Sequence, residues 1–258
     1  MKKRSFSLME LSLVGVLALM FIVFSILNGS AFYQSYNLLN IFKSAGSMAL
    51  MVLGLTWVIG AGEMDCSFPE VASCASMIFA WMLNQRYDPT LCLVVSLLSG
   101  VVFGLLTSLL VVRFHFHSLI TTIAVSTIAG AVANIIYKGS VLSIKGLNST
   151  WMYKFFSKSP LGLPMVFVVA LVLFALALLV QEKTRFGQYL YALSENPQAV
   201  KESGVKNGLV RTCVFVFSAF MAAFGGIIYV RTVYKSGQPS MGTSSFLNGF
   251  TCAFLGAM

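Results

Sequence analysis

Residues 91–112 read LCLVVSLLSGVVFGLLTSLLVV, an apolar stretch that contains no charged residue. A helix of about 20 such residues crosses the roughly 30 Å hydrocarbon core of a bilayer. The whole chain suits that environment, because 58% of its 258 residues are hydrophobic and only 10% are charged. Soluble domains are about 45–50% apolar and about 25% charged, so a soluble fold of this size could not cover this much apolar surface. The sequence therefore predicts an integral membrane protein.

Similar stretches lie on both sides of residues 91–112, and together they predict an all-α, polytopic transmembrane helix bundle of about eight spans. The predicted spans are residues 9–28, 41–60, 68–84, 91–112, 118–137, 164–181, 207–230 and 246–258, of which the last is incomplete. They form one transmembrane domain over residues 1–258, interrupted by a polar segment at 182–206. The stretch 68–84 is short for a span, so we expect it inside the bundle, where irregular backbone is tolerated.

The amino terminus predicts the orientation of the bundle. The first apolar run follows Lys2, Lys3 and Arg4, and it is longer than the core of a signal peptide, which favours an uncleaved first helix over a cleaved leader. The positive-inside tendency places this terminus in the cytoplasm, and six spans then place the polar segment (182–206) on the same side. Four lysines within 138–163 would face outward and argue against this orientation.

Charge, cysteine and motif content argue against several other classes of protein. The net charge is +9, but the basic residues lie between apolar runs, which indicates contact with lipid headgroups and not with nucleic acid. The five cysteines form no CxxC pair, and His115 and His117 lack a third ligand nearby, so no disulfide framework and no metal site are predicted. The sequence has no nucleotide-binding loop and no catalytic or cofactor motif, so we predict neither an enzyme nor a cofactor on this chain.

The polar segment contains a short helix with clear boundaries. Asn196 is a suitable N-cap, Pro197 fits the first helical position, and Gly204 fits the left-handed position that ends a helix. A helix of about two turns is not stable alone in water, so it must pack on something. It either docks on another protein or folds back on its own bundle as an ordinary connection.

A second polar interruption lies at residues 61–67, next to the 68–84 stretch. Three acids occur in or just after it, Glu63, Asp65 and Glu70, and acidic side chains are unfavourable near hydrocarbon. Ser67 and Glu70 have the spacing of a capping box, which predicts a new helix after a bend. Three interpretations of these acids remain open. They line a path for substrate or protons, they belong to a rigid bend that shapes the translocation route, or they cap helices at the membrane surface.

The polar segment resembles a loop found in bacterial ABC-transporter permeases. Residues Gln198-Ala199-Val200-Lys201-Glu202-Ser203-Gly204 resemble the EAA-x-x-x-G loop, with Gln in place of Glu and Val in place of the second Ala. The stretches Thr184-Arg185-Phe186-Gly187, Tyr191-Ala192 and Glu195-Asn196-Pro197 resemble the monosaccharide branch of that family, the ribose, xylose and galactose type. In these permeases the loop is a cytoplasmic coupling helix that inserts into a cleft of the ATPase subunit. The resemblance thus assigns coupling to Asn196, Pro197, Gln198, Ala199, Val200 and Gly204.

Three further stretches resemble the same family and follow its order, so that the resemblance covers most of residues 44–258. Residues 62–71 resemble its G-G-I-D-L-S-V-G-S-V block, with matches at Gly62, Asp65 and Ser67 and departures at Glu63, Cys66, Phe68 and Pro69. Residues 118–122 resemble its F-I-A-T-L-G segment, and residues 237–243 resemble its Q-P-x-x-G block. For Asp65 we favour a structural or coupling role over contact with substrate. Family members continue past the point that matches Leu255-Gly256, usually with about two more spans, which implies a chain shortened at its C-terminus.

The resemblance implies a function, a location and partners. The chain would be the membrane-spanning permease subunit of an ATP-binding-cassette importer in the bacterial inner membrane, and its expected solute is small and polar, in the first place a monosaccharide. Its partners would be a separate ATPase subunit, a periplasmic or lipid-anchored solute-binding protein and a second permease chain. The alternative is an ion-coupled secondary transporter that uses Glu63 or Asp65 as a relay.

Overall fold

The structure is a computed structural model that describes residues 8–202 and 204–257, and helices make up nearly all of its regular structure. The predicted all-α fold is therefore confirmed. Lys2, Lys3 and Arg4, on which the predicted orientation depends, lie outside the described residues, and so does Ser203 of the polar segment.

The first half of the described chain consists of α-helices joined by short connections. They are α1 (Leu8–Asn28), α2 (Ser30–Tyr33), α3 (Ser35–Gly60), α4 (Phe68–Asn84), α5 (Pro89–Ser108) and α6 (Ser118–Ile136). The second half contains two short strands as well as helices. Its elements are β1 (Leu142–Ser143), α7 (Trp151–Phe156), α8 (Met165–Lys183), α9 (Arg185–Glu195), α10 (Pro197–Glu202), α11 (Asn207–Tyr229), β2 (Ser236–Gly237) and α12 (Gly242–Ala257).

Six helices of the described chain are long and apolar enough to cross a membrane. They are α1, α3, α5 with its continuation to Arg113, α6, α8, and α11 with its continuation to Tyr234. The other two predicted spans also form helices, but α4 has only 17 residues and α12 only 16. As expected of a short segment, α4 lies inside the bundle, because most of its side chains are buried.

Helix ends differ from the predicted boundaries where polar residues extend a helix or the winding changes. Helix α3 begins at Ser35 and not at residue 41, and Asn37 Nδ2 donates to the carbonyl oxygen of Phe32 at 3.0 Å, which holds the preceding turn. Helices α5 and α11 each continue into a π-helical turn, at Leu109–Arg113 and Val230–Tyr234. The apolar pattern carries no signal for this wider winding, which occurs mostly as single turns.

Helices α3, α4 and α11 cross closely at the centre of the bundle. A Cβ atom placed on Gly54 of α3 would lie 2.4 Å from Cα of Ser218 on α11, and one placed on Gly226 of α11 would lie 2.6 Å from the carbonyl oxygen of Ala72 on α4. Only glycine permits these close approaches, because the Cβ atom of any other residue would overlap backbone atoms of the neighbouring helix. The sequence Gly225-Gly226 therefore marks a close helix crossing.

The exposed surface of helix α1 is apolar and requires lipid, not water, as its surroundings. None of the residues from Leu11 to Asn28 is buried, and Leu17 and Leu27 are each 72% exposed. An apolar surface of this extent would aggregate in water, whereas lipid tails cover it without loss. The multi-pass membrane protein predicted from composition is thus consistent with the helices and with their surfaces.

The connections between helices gather at two ends of the bundle. At one end, which we call the polar-segment end, residues 61–67 contact the start of α6 and the polar segment (182–206). At the other, the sheet end, β1 pairs antiparallel with β2, Leu142 opposite Gly237, and joins the 137–164 connection to the one that follows α11. Asn84 Nδ2 at the end of α4 donates to the carbonyl oxygen of Ser143 at 2.8 Å and fixes the sheet to the bundle.

Candidate functional site

The polar segment begins with a sharp corner between α8 and α9. Thr184 separates the two helices, and a Cβ atom placed on Gly187 would lie 1.8 Å from the carbonyl oxygen of Gln181. The side chains of Gln181 and Tyr191 are hydrogen-bonded to each other across this corner. Leu190 and Leu193 on the inner face of α9 are almost completely buried. The corner therefore seats α9 firmly against the end of the bundle.

Helix α10 has the predicted boundaries. Asn196 Oδ1 accepts a hydrogen bond from the backbone N–H of Ala199 at 3.0 Å, so Asn196 caps the helix that starts at Pro197. Gly204 has φ +79°, the left-handed conformation predicted for the residue that ends the helix. Asn207 Nδ2, at the start of α11, donates to the carbonyl oxygen of Pro197 at 3.0 Å and ties the two helices together.

The surface of α10 has one inward and one outward face. Val200 is only 6% exposed and packs in a small apolar cluster with Leu193 of α9 and Val210 of α11. Its side chain therefore anchors the helix to its own chain and does not point outward. The other coupling residues proposed from the resemblance are exposed, and they are Asn196, Pro197, Gln198, Ala199 and Gly204.

The break at residues 61–67 lies directly beside α9. Helix α3 ends at Gly60, and Gly62 then takes φ +75°, a conformation that glycine adopts without strain. A Cβ atom placed on Gly62 would lie 3.2 Å from Cα of Ser194, so the turn rests on the last part of α9. The structure thus brings the two interruptions that we singled out in the sequence into contact.

Asp65 is the most constrained side chain of the break. It is 1% exposed, and its Oδ1 accepts from the N–H of Ser67 at 2.8 Å and from Ser67 Oγ at 2.6 Å. Its Oδ2 accepts from Ser218 Oγ of α11 at 2.7 Å. Three hydrogen bonds satisfy this buried carboxylate, as a buried charge requires, and connect the break to the central helix.

The predicted capping box at Ser67 and Glu70 is wrong. Ser67 precedes α4 with a helical backbone, φ −87° and ψ −19°, and its side chain makes no capping hydrogen bond. Its hydroxyl donates to Asp65 instead. The Asp65 carboxylate, two residues earlier, accepts from both the hydroxyl and the N–H of Ser67, and this N–H is the donor that Glu70 would bind in a capping box.

Arg211, which lies outside the sequence motifs, and two residues of the 118–122 block complete the break. Arg211 of α11 lies with its Nε 3.2 Å from Glu63 Oε1, which forms an ion pair that links the break to the helix following the polar segment. The N–H of Met64 donates to Ser118 Oγ at 3.3 Å, and the N–H of Cys66 donates to Thr122 Oγ1 at 3.1 Å. Sequence reasoning missed these partners because they are 54 to 148 positions from the residues that they contact.

The remaining sequence block lies at the sheet end. The N–H of Met241 donates to Ser73 Oγ of α4 at 2.9 Å, and a Cβ atom placed on Gly237 would lie 2.8 Å from Cβ of Ala80. The block at 237–243 therefore packs along α4 between Ser73 and Ala80. Both ends of this buried helix are held by residues that the resemblance had singled out.

A cavity of about 680 Å³ opens between α3, α8, α9 and α12. Its walls are mainly apolar, and its polar lining consists of Thr56, Gln181, Tyr191 and Ser194 near the polar-segment end. Taken together, these contacts connect the exposed helix α10 to the centre of the bundle. They comprise buried apolar contacts, an ion pair and charge-assisted hydrogen bonds.

Comparison with known proteins agrees with this architecture. The sequence profile described as "Branched-chain amino acid transport system / permease component" matches residues 37–258. The ribose import permease protein RbsC of Bacillus subtilis is 27% identical over 241 residues, which cover 93% of this chain and 74% of that protein. The xylose/arabinose import permease protein XylH of Sulfolobus acidocaldarius is 27% identical over 255 residues, 96% of this chain and 69% of that protein.

A third relative shares a shorter region. The galactofuranose transporter permease protein YtfT of Escherichia coli is 27% identical over 195 residues, 76% of this chain and 56% of that protein. No solved structure matches the chain significantly. Because the family profile covers most of the sequence and the fold is a polytopic helical bundle, the chain belongs to the branched-chain amino acid transport system / permease component family of membrane transport proteins.

Proposed function

We propose that the chain is the permease subunit of an ATP-binding-cassette importer and that α10 is the point at which a separate ATPase subunit drives it. The observation that carries this proposal is the geometry of α10. It is a six-residue helix, too short to persist alone, that is capped at both ends, anchored by one buried side chain and otherwise exposed. A connection that only joined two spans would need none of these features.

The coupling proceeds through contacts that are already formed. A partner that shifts α10 shifts Val200 against Leu193 and Val210, and α11 moves with it because Asn207 is bonded to Pro197. The ion pair of Arg211 with Glu63 then carries the displacement to the break. ATP binding can change access to the solute only if the ATPase holds the two states of the permease with different affinity. The contacts of α10 provide that difference.

The solute that we propose is a monosaccharide. The relatives compared above are named for ribose, for xylose and arabinose, and for galactofuranose. A solute-binding protein, periplasmic or lipid-anchored, would deliver the sugar at the sheet end, and a second permease chain would complete the path. In this arrangement the protein lies in the bacterial inner membrane, with its amino terminus and the polar segment in the cytoplasm.

The bonding of the acids in the break weighs against ion-coupled transport through them. A relay carboxyl must gain and lose a proton during the cycle, and it needs a route to water. Asp65 is buried with its carboxylate shared among three donors, and Glu63 is paired with Arg211. We therefore assign both residues to the transmission of motion and not to the transport of protons.

The substitution Ala199→Asp tests the role of α10 without weakening the helix. Ala199 is exposed at the third helical position, where an aspartate interacts favourably with the helix dipole. In the native host, we expect the variant to reach the membrane in normal amounts, to lose co-purification with the ATPase and to lose uptake of radiolabelled ribose. Asn148→Asp, which adds the same charge at the exposed sheet end, is the matched control. Normal uptake and normal co-purification by Ala199→Asp would refute the proposed coupling role.

A further inference from the structure

The cavity between α3, α8, α9 and α12 is not used by the proposed coupling. Its lining follows α3 from Ala45 to Gly60, fifteen positions that correspond to about 22 Å of helix. It therefore extends from the polar-segment end past the middle of a hydrocarbon core about 30 Å thick. Its volume of about 680 Å³ lies within the range of about 300–1,000 Å³ that is usual for a site that holds one small molecule.

The mouth of the cavity lies at the outer surface of the bundle. Leu178 of α8 lines the cavity and is 53% exposed, and Cys252 of α12 lines it and is also exposed. The lining on α3 is deeper, because Val52 and Leu53 are only 3% and 2% exposed. Exposed apolar side chains of a membrane-spanning helix face the acyl chains of the bilayer. Lipid molecules therefore have direct access to this cavity from the side.

The chemistry of the lining changes along its length. Its polar side chains lie towards the polar-segment end, with Thr56 near the end of α3, Gln181 near the end of α8, and Tyr191 and Ser194 on α9. Deeper in the membrane, the residues of α3 between positions 45 and 53 that line the cavity are all apolar. The polar headgroups of a bilayer lie at the ends of a span and the acyl chains lie between them. The lining thus changes from polar to apolar in the same direction as a lipid molecule does.

Hydrogen-bond donors are available at the polar end of the cavity. Gln181 Nε2 donates to the hydroxyl of Tyr191, which leaves the hydroxyl hydrogen of Tyr191 and the second amide hydrogen of Gln181 for another acceptor. Ser194 is exposed, and it lies three positions after Tyr191, on the same side of α9. None of the described lining residues is acidic. This end of the cavity therefore suits a ligand with several acceptor oxygens, such as a phosphodiester.

We propose that the cavity binds one phospholipid molecule of the membrane, with its phosphate oxygens at Gln181, Tyr191 and Ser194 and an acyl chain along α3. This site rests on the membrane fold and is independent of the proposed coupling through α10. A monosaccharide does not suit the same cavity, because the apolar lining over most of its length would leave buried hydroxyl groups without hydrogen-bond partners.

The bound lipid stabilises the position of the polar segment. Tyr191 and Ser194 belong to α9, whereas Gln181 belongs to α8 on the other side of the corner. Gly62 of the break rests on Ser194 as well, since a Cβ atom placed on it would lie 3.2 Å from Cα of Ser194. A phosphate that accepts hydrogen bonds from both helices adds a connection across the corner. Removal of the lipid should therefore loosen α9.

Lipid retention tests whether the cavity is occupied. Ala49→Phe places an aromatic ring in the cavity, and Ala175→Phe, at an exposed position of α8 that does not line it, is the matched control. Each protein is purified from membranes in a mild detergent, and the phospholipid that remains bound is quantified by mass spectrometry. The unmodified protein and the control should each retain about one phospholipid per chain, and Ala49→Phe should retain about tenfold less, because the ring takes the space of the acyl chain.

Two outcomes of this measurement would overturn the site. If the unmodified protein retains no phospholipid, the cavity is empty or is covered by protein, such as a second copy of the chain. If Ala49→Phe retains as much phospholipid as Ala175→Phe, the lipid is bound elsewhere on the surface.

A second variant tests the contact with the phosphate and leaves the apolar lining intact. Tyr191→Phe removes one hydroxyl group, and Tyr189→Phe, on the same helix but outside the lining, is its control. The melting temperature of the delipidated protein is measured against the concentration of palmitoyl-oleoyl phosphatidylglycerol. Tyr191→Phe should raise the apparent Kd about fivefold, which corresponds to the loss of one hydrogen bond, and Tyr189→Phe should leave it unchanged.

Diacylglycerol with the same acyl chains serves as the ligand without a phosphate. It should bind the unmodified protein and Tyr191→Phe equally, because it lacks the group that Tyr191 contacts. Equal affinity of Tyr191→Phe and Tyr189→Phe for phosphatidylglycerol would contradict the assigned phosphate contact. A melting temperature that rises with D-ribose but not with phosphatidylglycerol would make the cavity a sugar site and end the proposal.

Discussion

Asp65 shows at the scale of one residue how a buried charge can serve structure. Each of its oxygens has a donor, and the donors come from the break itself and from α11. An uncompensated carboxylate in this position would be strongly destabilising, whereas a satisfied one fixes the geometry of the bend. The residue matched the family block in the sequence, but the sequence did not reveal Ser218 as its partner across 153 positions.

Two substitutions at Asp65 separate structure from proton transfer. In Asp65→Asn the amide oxygen still accepts from Ser67 and the amide nitrogen can donate to Ser218, so we expect folding and sugar uptake to be largely retained. Asp65→Ala leaves three buried donors without an acceptor and should lower stability by about 3 kcal/mol. Uptake assays and thermal melting in detergent measure both effects. A relay predicts the loss of uptake in Asp65→Asn as well, so that result would contradict the structural role.

Arg231 is the second charged residue in the core of the bundle. It is 2% exposed, and its guanidinium lies 5.2 Å from the ring centre of Tyr153 and 5.0 Å from that of Phe156, both on α7. Its Nε and Nη1 atoms have no hydrogen-bond partner among the described atoms. The aromatic rings of α7 thus provide the main stabilising contacts of this buried cation, and the cation in turn holds α7.

The replacement Phe156→Leu should loosen the sheet end. It keeps an apolar side chain but removes one aromatic face from Arg231, which at a desolvated site contributes about 2 kcal/mol. We expect faster hydrogen exchange of the backbone amides at residues 151–156, measured by mass spectrometry. Lys154→Ala, an exposed position on the same helix, should leave exchange unchanged. If both variants exchange like the unmodified protein, the aromatic contacts do not hold α7.

At the scale of elements, the corner between α8 and α9 places the whole polar segment. The corner requires glycine at position 187, because a Cβ atom there would overlap the backbone of Gln181. A flexible neighbour could move away, but a helix carbonyl cannot do so without shifting α8. The position of α10 relative to the bundle therefore depends on a glycine that lies in neither the break nor α10.

The substitution Gly187→Ala should disturb this corner. We expect a smaller monodisperse fraction in fluorescence-detected size-exclusion chromatography, and weaker co-purification of the ATPase from the protein that remains. Gly15→Ala on α1, where no atom lies within 4 Å of the added carbon, is the control. A Gly187→Ala protein that matches this control in both measurements would show that the corner tolerates displacement.

Local signals predicted the helices better than they predicted the contacts between them. Asn196, Pro197 and Gly204 defined α10 correctly, because caps and the left-handed glycine act over three or four residues. The spacing of Ser67 misled, since Asp65 offers its hydroxyl and N–H a carboxylate acceptor nearer in the chain than Glu70. The ion pair of Glu63 with Arg211 could not be read from either neighbourhood, because only the packing of α11 beside the break creates it.

At the scale of the whole molecule, the two ends of the bundle have distinct roles. The polar-segment end presents an exposed helix, and the sheet end holds a hydrogen-bonded crossing of two connections. Positive charges do not distinguish them, since lysines occur at both, for example Lys201 at the first and Lys145 at the second. Charge bias alone therefore gives a weak prediction of orientation for this chain.

Cysteine labelling in intact cells decides the orientation. In a variant without the two exposed cysteines, Cys213→Ser with Cys252→Ser, we expect a membrane-impermeant thiol reagent to label Asn148→Cys directly and to label Lys201→Cys only after permeabilisation. Both positions are exposed and lie at opposite ends of the bundle. The reverse pattern would place α10 outside the cell, where no ATP is available, and would end the proposed mechanism.

Helix α11 carries Arg211 near its first turn and Arg231 in its final π-helical turn, and each arginine is engaged by a different connection of the chain. The two arginines are twenty positions apart, which corresponds to about 30 Å of continuous helical backbone. A continuous helix changes little in length. A tilt of α11 that begins at the Arg211–Glu63 ion pair would therefore also displace Arg231 relative to Tyr153 and Phe156. A displacement at either end of this helix would consequently be accompanied by a displacement at the other end, about 30 Å away.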